Sequence, residues 1–272
     1  MRVLIIAALV LLPGCVAYND QCQPLVDNPT ERVTFIAKEI FLDRANARHA
    51  NNAVAQAAAD GFAWVFSGSD KPADFAVANG GSIRAEGLCV TRNIIGAGPL
   101  SNGVLHEIML FENPVQALDV SEQEVVAMLE HSVERLFTSP APIVSPAGSF
   151  LQVSKEVSMT VDCARPPLDR ITALSIGGQA ITKPGRTIDL KKFRVAASSF
   201  IISGGDGYTM LAGKGTDPTR NPANAQKAGN IDSNIAGAYL KQSPFNVTVE
   251  AGLKVEPRIV LMNCSVPTRP QN

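Results

Sequence analysis

The sequence predicts an α+β domain, a mixed β-sheet flanked by helices. Strand-length apolar runs and helices with amphipathic spacing both occur, yet they do not alternate as regular βαβ units. Two apolar runs also break directly into glycine loops, Asn79-Gly80-Gly81-Ser82-Ile83-Arg84 and Phe200 through Ser203-Gly204-Gly205-Asp206-Gly207-Tyr208. Several glycines together force the backbone through tight, positive-φ geometry. Asp206 sets a carboxylate where a ligand hydroxyl can be held, although Asp-Gly is equally a hairpin turn signal. Two such strand ends, one with Asn and Arg and the other with Phe and Asp, can build one pocket from opposite sides.

The chain has 272 residues, of which 46% are hydrophobic and 18% charged, which is the balance of a globular protein with a substantial core. A net charge of −1 gives no basic surface, so no nucleic-acid partner is expected. Met1-Arg2 followed by apolar Val3 to Leu12 reads as a secretory signal. Leu12-Pro13-Gly14-Cys15 resembles a bacterial lipobox, in which Cys15 becomes the lipidated first residue; ordinary cleavage after Ala17 is the alternative. An acyl anchor would hold the exported chain at the cell-envelope membrane without a spanning helix. Residues 1–15 are thus read as signal, 16–30 as a polar tether and 31–272 as the folded domain.

Within that domain Val33 to Leu42 reads as extended. A helix is predicted from Arg48 to about Val65, with Val54, Ala58, Phe62 and Val65 at helical spacing. Asp74 to Ala78 is a strand, Ile94 to Gly103 a glycine-rich loop, Val104 to Phe111 a short helix and Val115 to Val120 a strand. Ser121 and Glu124 form a capping box for the clearest helix, with Val125, Met128, Leu129, Ser132, Val133 and Leu136 on one face. Glu122, Glu130, Glu134 and Arg135 are assigned to its solvated face. Ser139 to Gly148, with three prolines, is a loop. Strands are predicted over Phe150 to Val153, Val157 to Val161, Ile171 to Ile176 and Arg194 to Ile202. Thr216 to Gly229 reads as a polar loop, Ile231 to Gln242 as a helix, and Val247 to Leu261 as a closing strand or two.

With Cys15 lipidated, Cys22, Cys89, Cys163 and Cys264 allow two disulfides in three connectivities. Cys163 and Cys264 each end a strand-like run and are paired on that ground, leaving Cys22 with Cys89 by default. His49, His106 and His131 lack the spacing of metal ligands, and no Gly-x-Ser-x-Gly elbow or P-loop occurs. Catalytic residues, metal ligands and cofactors are therefore assigned to none of the positions.

The two glycine motifs, Phe111, the helix ending Leu129-Glu130-His131-Ser132-Val133, and Phe150-Leu151-Gln152-Val153 occur in an order that resembles the C-terminal, substrate-binding domain of the 5′-nucleotidase family. The resemblance spans about residues 33 to 262. It implies a nucleoside or nucleotide ligand whose base lies between Phe111 and Phe200, with Asn79 bonded to the base, Asp206 to the ribose hydroxyls, and Arg84 near phosphate. Gly81 and Gly205 belong to the same motifs. Arg48 matches by its distance to Asp60, although Asn51, Ala53, Ala55 and Gln56 depart from the family pattern between them. The family's metallophosphoesterase domain has no counterpart before residue 31, so the chain is expected to bind nucleotides without hydrolysing them alone. Two alternatives stand beside this: the specificity half of a split nucleotidase completed by a separate metallophosphoesterase subunit, and a structural envelope lipoprotein that has lost its ligand.

Overall fold

The computed structural model describes residues 26–84, 94–181, 191–216, 221–242 and 244–268. The targeting segment with Cys15, tether residues 16–25 and the Cys22–Cys89 pairing lie outside the described residues. Among the described residues no helix is long and apolar enough to cross a membrane.

The chain enters through β1 (Arg32–Ile36) and β2 (Ile40–Phe41). Where the sequence predicts one helix there are two, α1 (Arg44–His49) and α2 (Ala53–Phe66). Asp43 caps α1 by accepting from the Ala45 and Asn46 amides, and Asn52 caps α2 by accepting from those of Val54 and Ala55. A capping residue must leave helical φ/ψ, and Asn52 with φ −127° and ψ 125° interrupts the run.

After β3 (Phe75–Asn79), the stretch predicted as a loop forms β4 (Ile94–Ile95) and β5 (Gly98–Ser101), paired antiparallel to β2 and β1. Its glycines conceal the side-chain alternation by which a strand is usually recognised. α3 (Asn102–Ile108), β6 (Val115–Ser121) and α4 (Glu122–Val133) follow, the last with the predicted capping box. The expected solvated face of α4 is a correction. Glu130 is only 3% exposed and accepts from the backbone amides of Arg170 and Ile171 at 2.8 and 3.0 Å, and Glu122 is buried too.

Next come β7 (Leu151–Val153), β8 (Val157–Asp162), β9 (Ile171–Ile176), β10 (Gln179–Ala180) and β11 (Lys192–Ser198). β11 ends four residues before the predicted limit, and the chain coils into α5 (Ser199–Ile202), which carries Phe200. The predicted polar loop after it contains a helix, α6 (Pro222–Ala228), with Asn221 as cap and Pro222 in the first turn, where each residue type is favoured. α7 (Asp232–Gln242) and a single closing strand, β12 (Ile259–Met262), complete the chain.

The central sheet has the order β6-β11-β3-β7, with β11 and β3 parallel and the outer pairs antiparallel. Both of its faces are buried. Ala76, Ala78, Ala117 and Ala196 face the alanine-rich helix α2, where small side chains on both sides permit close approach. Phe75, Val77, Leu118, Val120 and Val195 point the other way, into a second core shared with α4 and with the sheet β10-β9-β8-β12.

The segment leading into β12 crosses α2 as a strap. Gln56 exchanges two hydrogen bonds with the main chain of Glu256 (2.7 and 3.0 Å), and Asn51 does the same with Ile259 (2.8 and 3.1 Å). Arg258 makes a two-pronged ion pair with buried Asp60 at 2.7 and 2.8 Å. Beyond β12, Cys264 is disulfide-bonded to Cys163 at the end of β8, as its position after a strand predicts.

Candidate functional site

The topology of the central sheet brings its loops to one edge. Because β3 and β11 are parallel, both glycine loops leave from that edge. β6 and β7 run the opposite way, and their first residues, Val115 and Leu151, pair with Ser198 and Asn79. The residues just before them, Phe111 to Pro114 and Pro146 to Phe150, therefore return to the same edge. Four segments remote in sequence meet there and, together with Arg48 from the end of α1, line a cavity of about 390 Å³.

Its lining includes Arg48, Asn79, Gly81, Arg84, Phe111, Phe200 and Asp206, seven of the eight positions singled out from sequence. Gly205 is not in the lining but stands behind it. A Cβ there would come within 2.6 Å of the Phe200 ring, so only glycine lets that ring lie against the loop. Gly81 has a comparable task, since a Cβ on it would sit 2.9 Å from Gly148 Cα.

The polar groups are tied together. Asn79 Nδ2 donates to Asp206 Oδ2 at 3.0 Å, joining the two glycine loops. Asp206 adopts a left-handed backbone, φ 54°, which presents its carboxylate to Asn79 and Gly148. Arg84 donates from Nε to the Gly81 carbonyl at 2.9 Å, and its guanidinium lies 4.7 Å from the Phe111 ring centroid. Arg48 arrives from the end of α1 and donates to the Pro146 carbonyl at 3.0 Å. That end of α1 rests on Gly80, where a Cβ would collide with the Ala47 carbonyl at 2.2 Å. The site thus offers two ring faces, two guanidinium groups and one carboxylate with its amide partner.

Sequence reasoning did not pick out Ser82, Asn113 and Gly148, which also line the cavity. Gly148 closes a proline-rich loop and Asn113 follows Phe111 by two residues. Neither carries a pattern that marks it before the sheet order is known. Asn113 accepts from the Asp232 amide at 3.0 Å and so bolts the Phe111 loop to the start of α7. Burial pushes the Asp232 carboxyl up to about 6, against the opposing hydrogen bonds of Ser233 and Asn113. A carboxyl raised on folding stabilises the fold below its ordinary pKa, and that contribution is lost as pH rises through the folded value. The denaturation midpoint is therefore expected to carry a decline worth roughly 2 kcal/mol between about pH 4 and 6, which Asp232→Asn flattens.

Residues 30–213 match the family described as 5′-nucleotidase, C-terminal domain, which is more than half of the chain. The chain belongs to that family. Relatives of this 5′-nucleotidase C-terminal domain include the 5′-nucleotidase of Diplobatis ommata, 27% identical over 60% of this chain and 25% of that protein. UshA of Escherichia coli strain K12 is 28% identical over 65% of this chain and 26% of UshA. An Anopheles gambiae apyrase is 25% identical over 83% of this chain and 34% of the apyrase. The chain spans about a quarter to a third of the length of these relatives. Among solved structures, the 5′-nucleotidase precursor of Thermus thermophilus superposes with a TM-score of 0.64 at 24% identity, covering 86% of this chain and 40% of that one. The Haemophilus influenzae NAD nucleotidase gives 0.55 at 14% identity, covering 86% and 38%. These likenesses establish the 5′-nucleotidase C-terminal fold, with its mixed sheets and flanking helices. Among the described residues no group of three or more His, Cys, Asp or Glu side chains is placed to hold a metal ion.

Proposed function

We propose that the cavity at the sheet edge binds a nucleoside or nucleotide, with the base between Phe111 and Phe200 and the ribose hydroxyls on Asp206. The observation that supports this best is the exposure of two phenylalanines, 43% and 41%, at one cavity otherwise lined by polar groups. Exposed ring surface is unfavourable in water and becomes favourable when a flat apolar guest covers it. A base stacked on an aromatic side chain gains about 1–3 kcal/mol. An ionised carboxylate accepts from hydroxyl donors, and Arg48 and Arg84 supply planar forks suited to an anionic group. The reading also places the chain outside the cytoplasm, held at the envelope membrane through Cys15, on the strength of the N-terminal sequence.

Adenosine and AMP are expected to raise the melting temperature, and Phe200→Ala to abolish the rise. Differential scanning fluorimetry across a nucleoside and nucleotide panel checks this, and no shift with any member overturns it.

A second reading, the specificity half of a nucleotide hydrolase, draws on the likeness to 5′-nucleotidases and on the small share of their length that this chain spans. Here the cavity selects the nucleotide, and the chemistry comes from a separate metallophosphoesterase. Phosphate release from AMP only when such a partner is added would favour it.

A further inference from the structure

We propose that His131 is the positioning residue for Asp206, and that it holds the carboxylate loop fully only as the doubly protonated ring. The inference rests on the ribose-binding reading of Asp206 given above.

His131 lies on α4, outside the cavity, and reaches the loop from behind. Its Nε2 is 2.9 Å from the Asp206 carbonyl oxygen, and its Nδ1 is 3.2 Å from Glu134 Oε1. The ring meets Tyr208 edge-on, with centroids 4.8 Å apart. Tyr208 in turn donates from its hydroxyl to the Ser149 carbonyl, beside Gly148 of the cavity lining. The loop is shaped to admit the ring: a Cβ on Gly207 would stand 2.9 Å from His131 Cε1 and Nε2. The titratable and charged groups facing the ring are Glu134 on its own helix, itself 3.8 Å from Arg135 Nε, and Asp206 and Tyr208 on the loop.

Both nitrogens of His131 face acceptors. A carbonyl oxygen only accepts, and so does an ionised carboxylate, so both contacts are hydrogen bonds only when both nitrogens carry protons. A neutral ring has one proton to give. The charge on Glu134 draws it to Nδ1, since the partner of one nitrogen sets the tautomer. Nε2 then turns a lone pair toward the Asp206 carbonyl, the contact becomes repulsive, and the left-handed residue that aims the carboxylate loses its backing. Nucleoside affinity should fall as the ring gives up its proton.

The test measures adenosine affinity of the full chain by calorimetry across about pH 5 to 8.5, the range in which histidine commonly changes charge. Wild type is expected to weaken by about 3- to 10-fold across that range, the loss of one hydrogen bond. Glu134→Gln removes the charge that draws the proton to Nδ1, so the variant should hold its low-pH affinity throughout. His131→Ala, which has no donor for the Asp206 carbonyl, should be weak and flat at every pH, and Phe200→Ala should lose binding at all of them. A flat wild-type profile, or a Glu134→Gln variant with the wild-type slope, overturns the proposal while leaving nucleoside binding intact. If no adenosine binds at any pH, the reading of the site falls instead. The histidine inference is then decided by ring ¹⁵N spectra of the unliganded chain. Two ring protons at low pH, Nδ1–H at high pH and Gly207 amide shifts that follow the transition support it. An Nε2–H tautomer at high pH, or loop shifts that ignore the transition, overturns it.

Discussion

Replacing Arg258 by alanine is expected to destabilise the fold by about 3–5 kcal/mol, the cost of leaving one member of a buried ion pair without the other. Asp60 is 4% exposed and sits in the middle of α2. Two of its contacts come from the Arg258 guanidinium, and the Lys155 amide supplies another at 2.8 Å. Arg258 also donates to the buried Val153 carbonyl at 2.9 Å and to the half-exposed Glu256 carboxylate at 2.7 Å, so its removal strips Asp60 and Val153 of buried donors together. Burial opposes the charge on Arg258, but Asp60 and Glu256 outweigh it and hold the guanidinium above its ordinary pKa. Urea unfolding of Arg258→Ala measures the loss. The double variant Asp60→Leu with Arg258→Met should recover much of it, because apolar side chains of similar volume leave no charge in the core. A single variant within about 1 kcal/mol of wild type would mean that water reaches Asp60 in the folded chain.

Removing the Cys163–Cys264 disulfide is expected to cost a similar amount. The bond joins residues 101 apart, and in the chain-entropy account a closed loop of that length contributes about 4–5 kcal/mol by restricting the unfolded ensemble. Cys163→Ser with Cys264→Ser, compared with wild type in urea, checks it, and a loss under about 1 kcal/mol would count against the bond as a main support. The disulfide and the Asp60–Arg258 pair fasten the same stretch of chain. Their effects are therefore not expected to add, and the triple variant should lose less than the sum of the separate losses.

The candidate site was more legible in the sequence than the frame around it. Gly80, Gly81, Gly204, Gly205 and Gly207 interrupt apolar runs, and such interruptions are local signals that survive without coordinates. Phe200 opens the second of those motifs, whereas Phe111 and Arg48 carry no local signal of that kind. Those two are implied by the family resemblance; the sheet order brings Phe111, and the end of α1 brings Arg48, to the cavity that Asn79, Phe200 and Asp206 also line. The capping box at Ser121 was legible for a similar reason, since both partners lie within one turn.

What escaped depends on distant partners. Glu130 reads as a solvated charge until Arg170 and Ile171, at the start of β9, arrive from 40 and 41 residues away to donate to it. Asp60 reads as one polar residue in an alanine-rich helix until Arg258 reaches it across 198 residues. β4 and β5 were missed because glycine and proline weaken the pattern of side chains, while the backbone remains free to pair. The histidines show the same divide. His49, His106 and His131 read together as lacking metal spacing, yet only His131 meets the carboxylate loop, while His49 is buried against Phe137.

Asn51 and Gln56 grip Glu256 and Ile259 by peptide groups alone, with no hydrogen bond to either side chain. Part of the address at which the tail docks is thus written on α2 and the residue before its cap, while the tail itself contributes Arg258, Cys264 and the buried side chains of Leu253 and Ile259. The tail's exposed positions, such as Lys254 and Val255, are free to drift, whereas losing the Gln56 amide removes two main-chain hydrogen bonds that no residue of the tail can replace.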